Sequence, residues 1–297
     1  MRSDRIIAVV GEAIPTRNAN VITLDVGGSV IDLTRRDEQN DQLTCFYPVG
    51  GDVGEVGGHY TLTGPVTWPE ACKKTPGAAR LAFKATPNVP HAADIEGLDI
   101  WVAYELPDGA DYLTLSTLLV NRTDEPLTVP IRDKTWAHGD TKGSEGFVFH
   151  HDEKFPILWC NDLYWRSAYA ALPVNSKSRP HRREGDWKPG TLSGRNDYFM
   201  DKNQEGLTVP ENGSFILERI IIPAADTFAV YAVERQRRGQ TLATSLTTVT
   251  DPAGPVPGAY VEVTQGDQTL GKARADENGQ LLSLIHISEP TRRTPIS

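Results

Sequence analysis

The feature that most constrains this chain is its punctuation. Apolar runs of strand length recur along it, and each is soon closed by Gly, Pro, Asp or Asn. Leu98 to Leu106 alternates, with Leu98, Ile100, Val102 and Tyr104 on one face, and Pro107-Asp108-Gly109 supplies a preset φ and then a positive φ. Asp111 to Asn121 reads as a second strand, closed by Asp124-Glu125-Pro126, and Leu127 to Ile131 starts another. Ser214 to Ile222 alternates again. Asn20 to Val26 and Ser29 to Thr34 flank Gly27-Gly28, a pair suited to a tight hairpin. Many strands without regular intervening helices predict an all-β fold, a large antiparallel β-sandwich, rather than a βαβ sheet. One helix is expected, Thr227 to Arg238. Asp226 can cap it, Phe228, Tyr231, Ala232 and Arg235 share a face, and Gly239 can close it.

Composition narrows the function. The net charge is −9. A general nucleic-acid binder needs clustered Lys and Arg to neutralise phosphates, so no nucleic-acid partner is expected. The one basic cluster, Arg179 to Arg183, sits beside Pro180 and reads as a solvated loop. No apolar run reaches the roughly 20 residues of a membrane span. Three cysteines, Cys45, Cys72 and Cys160, lack any CxxC spacing, so a cysteine zinc site is not expected. One disulfide with one free thiol stays open. No signal peptide is visible behind Met1.

Two clusters carry chemistry. Trp159 to Arg166 places aromatic rings beside Asn161, Asp162 and Arg166, with Tyr164 and Trp165 between them. Rings that cover the apolar face of a sugar and polar groups that take its hydroxyls make this a candidate glycan site, which Trp136 and His138 could join. The competing reading is that these rings cover the edge of the sandwich. His150-His151-Asp152 is the second cluster. His150 and Asp152 share a strand face and are weak candidate metal ligands, but no HxH or HExxH spacing is present. The cluster therefore reads as a polar strand end, and no cofactor or metal is expected. Cys160 reads as an inert cysteine. No catalytic residue is assigned: paired carboxylates cannot be picked without geometry. Asn121-Arg122-Thr123 and Asn212-Gly213-Ser214 fit the glycosylation spacing, and turn chemistry explains both.

Three resemblances add to this reading. Val249-Thr250-Asp251 through Gly258-Ala259-Tyr260-Val261 to Asp276-Glu277-Asn278-Gly279 resembles the carboxypeptidase regulatory-like domain, a small transthyretin-like β-sandwich, over its first half. Thr247 departs from that family's usual glycine, and the Gly254-Pro255-Val256 turn is one residue short. Gly27 to Asp32, Tyr112 to Asn121 and Gly146 to His150 resemble the galactose-mutarotase-like supersandwich, as found at the front of large bacterial proteins ending in a PHP-type metallohydrolase domain. Finally, Leu282 to Arg292 resembles the in-frame translation of a transposase-type library adapter, and Ile296-Ser297 fits its resumed fixed bases. These resemblances imply a mutarotase-like sandwich over residues 1–240, a truncated regulatory-like domain over 241–281 and a non-native tail over 282–297. The function implied is a non-catalytic binding or scaffold module of a larger extracytoplasmic bacterial protein. A glycan and downstream domains of the same chain would be its partners. The alternative is a mutarotase-like or glycan-active enzyme.

Overall fold

The computed structural model describes residues 1–14, 18, 24–37, 43–50, 60–87, 95–138, 144–152, 155–182, 191–201, 203–265 and 268–285; the side chains at 137–138, 144–152, 155–160, 180–182, 191–193, 243, 265, 268–270 and 283–285 lie outside that description. The chain divides into two compact units, Met1–Ala224 and Ala225–Ser297.

The first unit holds β1 (Ile6–Val10), β2 (Val30–Arg35), β3 (Leu43–Tyr47), β4 (Tyr60–Thr63), β5 (Ala79–Pro87), β6 (Leu98–Leu106), β7 (Leu113–Asn121) and β8 (Leu127–Val129). It continues with β9 (Ile131–His138), β10 (Ser144–Asp152), β11 (Phe155–Asp162), β12 (Ser167–Pro173), β13 (Lys177–Arg182), β14 (Thr191–Phe199), β15 (Leu207–Val209) and β16 (Ser214–Ala224). Two antiparallel sheets result. One runs β1-β2-β3-β9-β14-β13, and the other β10-β11-β12-β16-β7-β6-β5-β4; β8 and β15 form a short pair. The fold is the expected all-β sandwich, with a single helix among the described residues.

The core lies between the sheets. Ile6, Leu33, Phe46 and Ile131 come from the six-stranded sheet, and Ile100, Val102, Leu113, Leu115, Leu217 and Ile221 from the eight-stranded one. Ile100, Val102 and Tyr104 share this face, as their alternation predicts. The opposite face of β6 is covered too: Trp101 and Ala103 pack with Trp68 and Cys72 of the connection between β4 and β5. That second cover explains why β6 is apolar at nearly every position.

Within this apolar layer sits a charge pair. Arg219 Nε on β16 lies 2.8 Å from Asp133 Oδ2 on β9, and both side chains are fully buried. Tyr198 OH donates to the same oxygen at 2.8 Å, and the Val49 amide donates to Oδ1 at 3.3 Å. Arg219 Nη2 donates to Thr117 Oγ1 at 2.8 Å, and its guanidinium lies over the Tyr198 ring. Burial pushes the Asp133 carboxyl above the ordinary carboxylate range, while Arg219, Tyr198 and the Val49 amide act in the opposite sense.

Two expectations change in this unit. The strand pairing with β2 is β1, through Ile6↔Arg35 to Val10↔Val30, and not a run before Gly27-Gly28. Leu24 to Val26 is irregular and residues 19–23 lie outside the description. Gly28 still earns its place: φ is +75°, and a Cβ there would stand 2.6 Å from the Leu62 Cβ. The basic run from Arg179 is not a solvated loop as far as Arg182; it lies in β13, an edge strand paired with β14. Charge and Pro180 suit an edge that must not pair further. Asn121, read as a glycosylation or turn residue, is buried and does turn work, donating to Glu125 O and Pro210 O and accepting from the Thr123 amide.

The second unit contains α1 (Thr227–Arg237), β17 (Ala243–Thr248), β18 (Thr250–Asp251), β19 (Gly254–Pro255), β20 (Tyr260–Gln265), β21 (Gln268–Arg274) and β22 (Gln280–Ile285). Asp226 caps α1 by accepting from the Ala229 amide. The sequence attached this helix to the large sandwich, but it clusters with the second unit. There Phe228 packs with Ala273, Leu281, Val261 and Val263. Val230 is buried where the sequence favoured Tyr231, whose ring instead carries Arg235 at 5.8 Å. Asp251 and Asp276 each fold their Asp-x-x-Gly segments by accepting two backbone N–H groups. β22 pairs with β17 across Leu246↔Leu282. Leu281 is buried, whereas Leu282 is 61% exposed.

Two measurements test this account. Arg219→Met leaves a buried carboxylate without its counterion and should cost about 3–5 kcal/mol in urea unfolding. Asp133→Asn combined with Arg219→Met should cost less than the two single changes added together. A loss below about 1 kcal/mol for Arg219→Met would show the pair to be dispensable. Second, deleting Leu282 to Ser297 should leave the melting of the Met1–Ala224 unit unchanged within about 2 °C, as expected for residues outside its core.

Candidate functional site

The aromatic cluster folds into a tight turn. Leu163 to Arg166 connects β11 to β12, whose flanking residues Asp162 and Ser167 are Cα partners. Asp162 Oδ1 accepts from the amides of Tyr164 at 3.0 Å and Trp165 at 3.1 Å. A short acidic side chain bonding to the backbone two and three residues on is the chemistry that fixes such a turn. Asp162 is buried, so this role occupies it within the fold. Asn161 is buried as well.

The rings behave differently. Tyr164 is 42% exposed and Trp165 40% exposed. They meet edge to face, with centroids 4.8 Å apart and planes at 88°. An edge-to-face pair is the favoured contact of two quadrupoles, so each ring restrains the other. Anchored from below by Asp162 and braced sideways, the pair forms a rigid apolar ledge at the tip of a hairpin.

Arg166 closes the turn with φ of +53°. It is half-buried and its Nε has no hydrogen-bond acceptor among the described residues. Its charge is felt at Asp37. Partial burial would raise the Asp37 carboxyl, but the hydrogen bond and charge of Arg35, and more remotely the charge of Arg166, hold it below the usual range. Arg35 grips Asp37 with two nitrogens, Nε at 2.9 Å and Nη2.

The other candidates divide. Asp37 follows β2 at the end of the six-stranded sheet where β3 begins at Leu43, whose Cα partner is Ala137. Trp136 and His138 therefore lie toward the same end of the sandwich as the turn. Trp136 itself is half-buried on the outer face of that sheet with Val26, Ile31, Cys45 and Tyr47. Lys134 Nζ sits 5.5 Å from the Tyr47 ring and 5.3 Å from the Trp136 ring, a packed arrangement rather than an open one. The side chain of His138 lies outside the described residues; its backbone is paired with Thr191. His150 and Asp152 pair by Cα with Ile157 and Phe155, at the far end of the β10–β11 hairpin from Ser144↔Asp162. Six residues of strand put His150 about 20 Å along the hairpin from the ring ledge. The side chains of His150, Asp152 and Cys160 also lie outside the description. No group of three or more metal-ligating side chains exists among the described residues. Cys45 and Cys72 are buried free thiols. Burial, with the charge of Glu218, pushes Cys72 up to about 11, and burial raises Cys45 further, so neither is a ready nucleophile.

Sequence reasoning offered the rings and Arg166 alike as candidates; the exposure of the rings and the positive φ of Arg166 come from the structure. The density of aromatic residues was visible; the left-handed backbone under an arginine was not. Asp162→Ala removes the acceptor of two amides and should lower stability by about 1.5–3 kcal/mol. Trp165→Ala should stay within about 0.5 kcal/mol of the parent, because an exposed ring contributes little to the fold. Thermal melts of the two variants would reverse this assignment if their order were inverted.

No protein-family model matches this chain. No curated protein matches it. Solved structures do. A TPR-domain containing protein from Parabacteroides distasonis ATCC 8503 aligns over 78% of this chain at 11% identity with a TM-score of 0.50. This chain spans 47% of that protein's length. Slr1438 from Synechocystis sp. PCC 6803 aligns over 67% of this chain and 89% of its own at 11% identity and a TM-score of 0.44. A galactose mutarotase related enzyme from Lactobacillus acidophilus aligns over 75% of this chain and 96% of its own at 9% identity and a TM-score of 0.40. Galactose mutarotase-like and aldose 1-epimerase proteins are thus among its structural neighbours. At such identities the likeness is one of fold. Among the described residues, no helix is long and apolar enough to cross a membrane.

Proposed function

We propose that the Met1–Ala224 unit is a mutarotase-like, glycan-binding sandwich. It serves as a non-catalytic binding or scaffold module of a larger extracytoplasmic protein. The observation that carries this reading is the Tyr164–Trp165 ledge: two rings left 42% and 40% exposed on a turn that Asp162 makes rigid. Sugar rings present apolar C–H faces, and preorganised aromatic surfaces take them at little entropic cost. Three of the described polar residues are engaged within the fold. Asp133 and Arg219 face each other in the core, and Asp162 holds its turn.

The other parts of the reading concern the chain around this unit. The second unit, with its two Asp-x-x-Gly turns, fits the first half of a regulatory-like domain. In this proposal, catalysis of a PHP-type hydrolase kind belongs to other domains of the protein. A second reading has one observation in its favour. Trp136 and His138 lie toward the same end of the sandwich as Trp165, so a mutarotase-like active site could be assembled there.

A glycan array followed by calorimetry tests both. The sandwich should bind oligosaccharides with Kd of about micromolar to millimolar, equivalent to roughly 4–8 kcal/mol. Trp165→Ala should weaken that binding about 30-fold or more, the cost of losing a central aromatic contact. Polarimetry with galactose should show no acceleration of anomer exchange; clear turnover, lost on His138→Ala, would establish the enzyme reading in its place.

A further inference from the structure

The ledge contains a residue at odds with its own backbone. Arg166 has φ of +53°. Glycine adopts this conformation freely, whereas a residue with a Cβ is strained there by about 1–2 kcal/mol. Local conflicts of this kind concentrate at sites where the side chain has a task. The turn does not need arginine for its fold: Asp162 supplies the hydrogen bonds that shape it. Nor is the guanidinium consumed by a neighbour. Asp37 is already gripped by Arg35 through two nitrogens, and Arg166 Nε has no acceptor. A half-buried arginine whose Nε lacks an acceptor therefore follows two exposed rings in the same turn.

We propose that the ligand of this ledge is an acidic saccharide, a hexuronate unit, whose ring stacks on Trp165 while its carboxylate pairs with Arg166. This rests on the glycan-binding reading above and names its ligand class. The planar guanidinium matches a carboxylate in shape as well as charge, and such paired bonds are about twice as strong as neutral ones. Stacking alone accepts neutral and acidic sugars alike, so Arg166 is what would separate them. The same arginine explains how a chain of net charge −9 could take an anionic ligand: recognition is local, at one turn, rather than through the overall field.

The test uses the full chain in calorimetry against oligogalacturonate and its methyl ester, which keeps the rings and removes the charge. The parent should prefer the acid by about tenfold or more at low salt, the ratio expected of one charge-assisted pair. Trp165→Ala should weaken both ligands. Arg166→Gly should bring the acid down to the ester's affinity while leaving the melting temperature unchanged or higher, since glycine relieves the backbone. A merely structural arginine would lower it. Arg166→Gln should lose the preference as well. Equal affinity of the parent for acid and ester, with both lost in Trp165→Ala, would overturn the acidic-sugar inference and leave the glycan reading standing. A preference that survives in Arg166→Gly would also overturn it, by placing the carboxylate elsewhere. If the parent binds neither ligand nor any glycan on the array, both readings fall.

Discussion

The contact on which this sandwich depends is the ion pair between Asp133 and Arg219. It joins the two sheets at a point where both partners are fully buried. Apolar packing is non-directional, so two greasy sheet faces can slide by one pleat at modest cost. A buried carboxylate that must meet a guanidinium cannot. A displacement of that size would strand two charges in a medium that solvates neither. The neighbours extend the constraint. Tyr198 and Val49 complete the carboxylate, and Thr117 takes a second nitrogen of the arginine. Val49 accepts a positive φ to present its amide, an expensive conformation for a β-branched residue. The pair is thus better understood as a fixer of register between sheets than as a large source of stability.

A fixed register has consequences at the edge of the molecule. β16, which carries Arg219, pairs with β12, and β12 pairs with β11, so the turn between β11 and β12 is one strand removed from the locked core. Asp162 then passes that rigidity to the tip, as Asp251 and Asp276 do for the two turns of the second unit. Three carboxylates, one of which (Asp162) the sequence offered as a functional group, serve to shape backbone. What they leave exposed is aromatic.

The strands were legible because their signals are local. Leu98 to Leu106 alternates and ends at Pro107-Asp108-Gly109, and β6 ends at Leu106 with Gly109 at φ of +71°. Pairing was not legible, since the partner of β2 lies across a loop, and Gly27-Gly28 looks like a hairpin whether or not a strand precedes it. The basic run from Arg179 misled for a related reason. Charges mark exposure, and an edge strand is exposed in the same way as a loop. The helix was visible from its cap and its glycine, but the face it buries was set by β21 and β22, whose packing no helical period encodes. At the candidate site, composition revealed the rings, and nothing in composition distinguishes Asp162, which is buried, from Arg166, which is half-buried.

That distinction decides how the ledge can work. Burying a ring the size of Trp or Tyr in the core would contribute about 1.5–3 kcal/mol, and leaving it at a hairpin tip forfeits much of that. The forfeited apolar surface is available to whatever settles on it, and its edge-to-face brace removes most of the entropy that a free side chain would lose on contact. Two rings alone form a surface without preference for charge. Adding a cation at the one turn position that resists it gives the surface a direction, because a ligand with an acid at one end then has one way to lie. The scaffold's fixed register is what makes such a direction meaningful: rings and arginine leave the same four-residue turn, and that turn cannot drift while Asp162 and the sheets beneath it hold.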